Sequence, residues 1–209
     1  MKHILNISVV QDLIIDKQKK IFTPLDLQRY FDVSYETARK FIARQVKKGI
    51  YIKLRRGLYI DKNFIPSTFL IANRVYEPSY VSFEYALMFY GIIPDTVYSV
   101  TSATTKSTKE FMVNNVSYKY LVIKKNAFTS YEMKRGNGES YYIATPEKAF
   151  VDYLYFVDLG KKVLYDRIDV SKLNLKRIIE CAEYLKRESL KQLVKKVYDQ
   201  SRSDKKIIY

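Results

Sequence analysis

Residues 23–60 read TPLDLQRYFDVSYETARKFIARQVKKGIYIKLRRGLYI, a stretch that predicts two short helices followed by a β-hairpin. Thr23 and Ser34 are suitable N-caps for the two helices, and Gly49 suits the left-handed conformation that often ends a helix. Residues 50–60 are apolar and β-rich on either side of an Arg-Arg-Gly turn. This order of elements predicts a winged helix-turn-helix, a fold that usually binds duplex DNA.

The second predicted helix has two different faces. Ala38, Phe41 and Ile42 recur at helical spacing and are expected in the core. Polar and cationic side chains occupy the start of the helix, its opposite face and the hairpin, where a winged helix meets base edges and phosphates. The residues predicted to bind DNA are Ser34, Tyr35, Thr37, Lys40, Arg44 and Lys47 on the helix and Lys53, Arg55 and Arg56 on the hairpin.

The charge of the chain is strongly positive and unevenly distributed. Its 37 Lys and Arg against 22 Asp and Glu give a net charge of +15. Residues 1–65 carry 14 basic and 6 acidic side chains, and residues 171–209 carry 11 and 5. Residues 66–170 are almost balanced, with 12 and 11. A polyanionic partner is therefore expected, above all for the N-terminal part.

The remaining sequence predicts a second, mixed domain. Residues 4–18 are apolar and amphipathic, and are expected to form a third helix that completes a DNA-binding domain over residues 1–62. Residues 66–209 predict helices, then an antiparallel sheet of about four or five strands, then helices again. Asn114 and Asn115 mark one hairpin turn, and residues 136–138 mark a second. The predicted fold class is therefore α+β.

Several helix boundaries can be predicted in the second domain. Ser82 and Thr145 are suitable N-caps, and two further helices are expected at residues 174–186 and 188–200. Residues 201–209 are expected to form a frayed basic tail. The lysines of the last helix predict a solvated face, with a contact to DNA as the alternative: Lys191, Lys195 and Lys196.

The composition argues against most catalytic and metal sites. His3 is the single histidine and Cys181 the single cysteine, which excludes Ser/His/Asp and Cys/His catalysis, zinc clusters and disulfides. The sequence contains no glycine-rich phosphate loop. We therefore expect no enzymatic activity and no cofactor.

Two functional alternatives remain open. Asp95, Glu132 and Lys134 have the order of a metal-dependent nuclease signature, but Asp95 follows a predicted helix end instead of standing on a strand. Residues 101–108 (TSATTKST) carry hydroxyls that can bind phosphate, although such segments are usually solvated. An RNA-binding role is disfavoured, because aromatic residues are not clustered on the basic helix.

The expected cellular setting is the cytoplasm. No run of 18 apolar residues is present, and the N-terminus lacks the pattern of a signal peptide, so no membrane partner is expected. The lone cysteine fits a reducing compartment. Without a heptad seam, the chain is expected to be a monomer in solution, with two copies on paired DNA half-sites.

Motifs spread over nearly the whole chain resemble the AbiEi family, antitoxins of type IV toxin–antitoxin and phage-abortive-infection systems. The motifs are residues 56–59 (RGLY), 78–87 (PSYVSFEYAL), 91–94 (GIIP) and 145–149 (TPEKA), followed by Asp152. The resemblance implies an autorepressor that binds inverted repeats in its own promoter. It also implies that the second domain counters a nucleotidyltransferase toxin without forming a stable complex with it. A plain winged-helix transcription factor without a toxin partner is the alternative.

Overall fold

The computed structural model describes residues 5–17 and 19–204 of the 209-residue chain. The helices are α1 (Ile7–Asp16), α2 (Pro24–Phe31), α3 (Tyr35–Lys47), α4 (Thr68–Val75), α5 (Phe83–Phe89), α6 (Pro146–Asp158), α7 (Leu175–Glu183) and α8 (Glu188–Asp204), with a 3-10 turn at Lys125–Ala127. The strands are β1 (Ile21–Phe22), β2 (Tyr51–Arg55), β3 (Leu58–Asp61), β4 (Ser79–Val81), β5 (Val100–Thr104), β6 (Lys109–Val113), β7 (Val116–Val122), β8 (Tyr131–Gly136) and β9 (Glu139–Ala144). The fold is α+β, as predicted.

The helices of the N-terminal part begin at the residues that local sequence indicates. The Thr23 hydroxyl accepts a hydrogen bond from the Asp26 N–H over 3.2 Å, and the Thr23 N–H donates to the Asp26 carboxylate over 2.8 Å. The Ser34 hydroxyl accepts from the Thr37 N–H over 3.1 Å. Asp32 adopts the left-handed conformation, with φ of 50°, in the turn between α2 and α3. These caps fix the start of each helix.

Some predicted elements have different limits, or lie partly outside the described residues. The first helix begins at Ile7, after the cap residue Asn6, whereas residues 4 and 18 of the prediction are not described. His3 and residues 205–209 also lie outside the described residues. The prediction of a frayed tail is wrong at residues 201–204, because α8 continues as far as Asp204.

A small antiparallel sheet with the order β1-β3-β2 is covered on both faces. Phe22 and Tyr51 point towards α1–α3 and belong to the buried cluster of those helices. Ile21 and Ile60, which are paired across β1 and β3, belong instead to the larger cluster around the second sheet. The small sheet is therefore a wall shared by two clusters of buried residues. The division of the chain into domains at residues 62–66 stays a prediction.

The second sheet is mixed, so the prediction of an antiparallel sheet of four or five strands is wrong. It has six strands in the order β6-β7-β5-β4-β9-β8. The pairs β4–β9 and β5–β7 are parallel. Hairpin signals report only pairing between consecutive strands, and both parallel pairs join strands that are not consecutive. The two predicted hairpins are confirmed, at Asn114 and Asn115 between β6 and β7 and at residues 137–138 between β8 and β9.

Helix α6 occupies the centre of the larger core. Its residues from Glu147 to Phe156 are all buried, since α5, α7 and α8 pack around it. Thr145 caps α6 by accepting the Lys148 N–H, as predicted. The described helices do not combine the length and the apolar character that crossing a membrane requires.

Candidate nucleic-acid interface

The six residues of the predicted site on α3 and at its N-cap all lie on the outside of the molecule. They are Ser34, Tyr35, Thr37, Lys40, Arg44 and Lys47, and each is exposed. The opposite side of the helix is buried, because Ala38, Phe41 and Ile42 pack into the first cluster as predicted. We call the exposed side of α3 the α3 ridge; it also carries Glu36 and Arg39, and it presents its polar and charged groups to solvent.

A carboxylate lies in the middle of the α3 ridge and holds two of its cations. Glu36 accepts hydrogen bonds from Nε and Nη2 of Arg39, both over 2.9 Å, and lies 3.7 Å from Lys40 Nζ. The hydrogen bond from Arg39, with the nearby charges, lowers the pKa of Glu36. Sequence reasoning assigned Lys40 but missed Arg39, although its spacing from Glu36 is that of a helical ion pair.

The hairpin carries the other three residues of the predicted site. Lys53, Arg55 and Arg56 are exposed, while Leu54 and Leu58 are buried beneath them. Arg56 precedes a glycine with φ of +78°, which allows the tight return from β2 to β3. The exposed cations are thus held at the tip of a hairpin that is anchored in the larger core.

Tyr59 connects the hairpin to the α3 ridge. It pairs with Lys53 across β2 and β3. Its phenol also lies near the guanidinium of Arg39, and α3 packs next to β2. The ridge and the hairpin are therefore adjacent, and we refer to their exposed cations together as the basic surface.

A buried polar centre joins two of the distant motifs. Tyr80 and Ser82 lie at the end of β4, Lys148 and Asp152 lie one turn apart on α6, and none of the four is exposed to solvent. The Asp152 carboxylate accepts hydrogen bonds from Lys148, from Tyr80 over 3.0 Å and from Ser82 over 2.8 Å. Burial and the adjacent carboxylate hold the pKa of Tyr80 well above its usual value. The centre is well supplied with donors and fixes α6 against the sheet.

The prediction that Ser82 caps α5 is wrong in its hydrogen bonding. Ser82 occupies the N-cap position, but its hydroxyl donates to Asp152 instead of accepting from the helix. Thr101 of β5 replaces it: the Thr101 hydroxyl accepts the Tyr85 N–H over 3.2 Å and donates to the Ser82 carbonyl over 2.8 Å. The local cap signal was outcompeted by the buried carboxylate.

The hydroxyl-rich segment 101–108 divides into a buried and an exposed half. Thr101 and Thr104 are buried and use their hydroxyls internally, Thr104 by donating to the Pro78 carbonyl over 2.8 Å. Ser107 and Thr108 are exposed. A phosphate site made by the whole segment is therefore wrong, since half of its hydroxyls face the core.

The residues of the nuclease alternative occupy different elements. Glu132 and Lys134 form a pair 3.4 Å apart on β8, and Lys134 lies 4.7 Å from the centre of the Tyr90 ring. Asp95 lies in the loop after α5, where its charge acts on Tyr165. Across residues 5–17 and 19–204, no group of three or more His, Cys, Asp or Glu side chains is arranged to hold a metal ion.

Two remaining features of the sequence are explained by their surroundings. Burial raises the pKa of the Cys181 thiol, which keeps it protonated and unreactive at neutral pH. Lys195 and Lys196 on α8 are exposed, and Lys191 lies 3.7 Å from Glu188. This exposure fits a solvated helix face, and the alternative of a contact to DNA stays a prediction.

Comparison with models of known protein families found no match for this chain, and comparison with curated proteins found none either. The function must therefore be inferred from the surface and the internal contacts of the molecule itself.

Proposed function

We propose that the N-terminal part of this chain is a winged helix that binds duplex DNA and represses transcription. In this proposal α3 is the recognition helix and enters the major groove, and the β2–β3 hairpin is the wing and lies against an adjacent groove or the phosphates. The single observation that carries the proposal is the basic surface, formed by the exposed cations of the α3 ridge and of the adjacent hairpin.

The order of elements supports the winged-helix assignment. Three helices alternate with three short strands as α1-β1-α2-α3-β2-β3, and the strands pair in the order β1-β3-β2. The start of α3 is exposed at Ser34, Tyr35 and Thr37, where hydroxyl groups at a helix N-terminus can reach phosphates. The buried side of α3 gives the helix a rigid support.

The charge of this surface predicts an electrostatic contribution to binding. The α3 ridge and the hairpin carry one exposed carboxylate, that of Glu36, and many exposed cations. The cations are Arg39, Lys40, Arg44, Lys47, Lys53, Arg55 and Arg56. Each cation that contacts a phosphate releases counterions, so the affinity for DNA should fall steeply as salt rises. The exposed pairs with Glu36 are weak and can exchange for phosphate contacts.

The role of antitoxin in a cytoplasmic type IV system is part of the proposal and rests on the resemblance to the AbiEi family. The chain would repress its own promoter at inverted repeats and counter a nucleotidyltransferase toxin without a stable complex. The buried centre of Tyr80, Ser82, Lys148 and Asp152 joins two motifs of that resemblance. Because these residues are enclosed, we assign them to the framework of the second part and not to a contact with a toxin.

A gel-shift titration with the promoter of the chain's own gene tests the DNA-binding assignment. Changing both Lys40 and Arg44 to Ala should weaken binding, with roughly 1–3 kcal/mol from Arg44 if it contacts a base. The matched control replaces Lys176 and Arg177, two exposed cations on α7, and should bind as the wild type does. Equal binding by the first variant would show that α3 is not the recognition helix.

A growth assay separates an antitoxin from a plain transcription factor. A nucleotidyltransferase encoded next to this chain would be expressed from an unrelated promoter, with and without the chain. We expect rescue by the wild type and also by the variant with Lys40 and Arg44 replaced, because neutralisation is assigned to the second part. Promoter binding without any rescue would support the plain transcription factor.

A further inference from the structure

A cleft of about 600 Å³ lies where the N-terminal part meets the second sheet. Its walls come from the residues before β1, from α4, and from strands β4, β8 and β9. The side chains that define it are Lys19, Arg74, Ser79, Tyr131, Met133 and Tyr142. The volume is in the range of sites that hold small organic ligands. None of these residues belongs to the basic surface of the α3 ridge and the hairpin.

One wall of the cleft is aromatic and rigid. The ring of Tyr131 stacks on that of Tyr80 with 4.6 Å between centroids, and meets the ring of Tyr142 edge-on at 5.7 Å. Asn73 holds the backbone of Tyr142 by bonding both its N–H and its carbonyl. Tyr142 is nevertheless 46% exposed, and Met133 beside it is 48% exposed. A flat ring could therefore lie against this wall without displacing the core.

Ser79, which lines the cleft, carries a hydroxyl that is buried and has no hydrogen-bond partner in the described part of the chain. Ser79 is only 7% exposed and lines the cleft, yet its Oγ has no hydrogen-bond partner among the described residues. A buried polar atom without a partner is costly, and a ligand that supplies one recovers that cost.

The mouth of the cleft is cationic. Lys19, Lys20 and Arg74 line it together with a single carboxylate, that of Glu77. Lys19 and Lys20 are paired with Asp26 and Glu139, which are not among the lining residues. Arg74 lies 3.1 Å from Glu77, and both side chains are about half-exposed. An exposed pair of this kind exchanges readily for a stronger anion.

We propose that this cleft binds a small planar aromatic anion of the nucleoside monophosphate class. The base would lie against Tyr142 and Met133, and the phosphate would meet Arg74 and Lys19. The Ser79 hydroxyl is buried in the free cleft, and rotation of the side chain about its single χ1 angle would turn it to an edge of the base or sugar. The aromatic wall alone would suit many apolar ligands, and the cations alone would suit any anion. The aromatic wall and the cations together, beside one unsatisfied hydroxyl, favour a ligand with a planar ring and a phosphate group.

Isothermal titration of the full chain tests the site without DNA or a toxin. The probes are AMP, GMP, CMP and UMP, the four corresponding nucleosides, and inorganic phosphate. We expect at least one nucleotide to bind tighter than both its nucleoside and phosphate, because the wall and the cations act together. Absence of heat with all four nucleotides, or equal binding of phosphate alone, would overturn the proposal.

Variants locate the binding on the cleft. Tyr142→Ala should weaken nucleotide binding about 5- to 150-fold, the range for loss of one base-stacking ring. Arg74→Ala should weaken binding of the nucleotide and leave binding of the nucleoside unchanged. Tyr98→Ala is the matched control, since Tyr98 is 86% exposed and does not line the cleft, and it should bind as the wild type does.

Circular dichroism of each variant separates loss of the site from loss of the fold. If Tyr142→Ala does not fold, Met133→Ala removes the neighbouring part of the same wall and replaces it in the test. Unchanged nucleotide affinity in a folded wall variant contradicts the proposal. Because no DNA is present, the result is independent of whether α3 binds a promoter.

Discussion

Two helices of this chain each carry an acidic and a basic side chain four residues apart, in opposite surroundings. On α3, Glu36 and Lys40 are 51% and 71% exposed at their side chains and lie 3.7 Å apart. On α6, Lys148 and Asp152 form a pair with no exposure at all. The exposed pair can exchange its partners for those of a ligand, whereas the buried pair has no alternative and serves the fold. The same spacing in the sequence therefore has different consequences.

A third pair is intermediate and links the two parts of the chain. Lys20, before β1, lies 2.7 Å from Glu139 at the start of β9. The Glu139 side chain is 5% exposed and that of Lys20 is 31% exposed. The other Glu139 oxygen accepts the Ser67 N–H over 3.0 Å. The three pairs form a series in burial, which predicts a series of decreasing effects on stability.

The largest effect is expected at the fully buried pair. Asp152→Ala should lower the free energy of unfolding by about 3–5 kcal/mol, because it leaves the Lys148 ammonium buried without a counter-charge. Urea denaturation followed by circular dichroism measures the change. The control replaces Lys148 by Met and Asp152 by Leu together. Its free energy of unfolding should fall much less than that of Asp152→Ala. A double variant that is the less stable of the two would contradict this account.

An intermediate effect is expected at Glu139. Glu139→Gln should cost about 1–2 kcal/mol at neutral pH, since it weakens charge-assisted hydrogen bonds while Lys20 keeps access to water. Burial acts to raise the pKa of Glu139, but the hydrogen bonds from Lys20 and Ser67 outweigh it and lower the pKa below the usual 4.5. The carboxylate therefore stabilises the fold above pH 4.5, and this contribution is lost as the pH falls through the lowered pKa.

Urea denaturation at several pH values between 7 and 3 tests the Glu139 prediction. The difference in stability between the wild type and Glu139→Gln should be constant down to pH 4.5 and shrink below it. Exposed Glu132 provides the control variant, Glu132→Gln, for which a smaller difference is expected at neutral pH. A Glu139→Gln difference that persists unchanged at the lowest pH would show that the charge is not its cause.

The smallest effect on stability is expected at Glu36, with an opposite effect on binding. Glu36→Gln should leave the unfolding transition unchanged within experimental error, because exposed pairs contribute little. It removes a negative charge from the α3 ridge and releases Arg39 and Lys40, so it should strengthen promoter binding a few-fold at low salt. The gain should shrink at high salt, where the charge is screened. Weaker binding by this variant would indicate that Glu36 orients Arg39 on the DNA.

Local signals in the sequence predicted the local parts of the fold. The caps at Thr23 and Ser34 and the turn at Asn114 depend on neighbouring residues, and each is found where it was expected. The exposed face of α3 follows from helical spacing, and the predicted residues are exposed. Such features need no knowledge of the tertiary structure.

Features that depend on distant partners were missed. The parallel pairing of β4 with β9 joins strands that are far apart in the sequence, and no turn signal marks it. Ser82 looked like a cap, but its hydroxyl bonds a carboxylate on α6. The cleft is formed by residues from several elements. That the Ser79 hydroxyl has no hydrogen-bond partner in the part that the structure describes depends on all the groups around it in the folded chain. Only the folded chain shows these relations.

The small sheet is shared by the two buried clusters, and it therefore limits how far the N-terminal part can move relative to the second sheet. If α3 turned relative to the second sheet, Ile21, Leu54 and Ile60 would lose apolar contacts and face water, at roughly 25 cal/mol for each Å² exposed. The chain should therefore behave as one rigid body and not as two domains joined by a flexible linker. If two copies bind an inverted repeat as proposed, they could not adapt to a change of a fraction of a helical turn in spacer length by bending. In such a complex the affinity would depend on the angle between the two half-sites around the DNA axis.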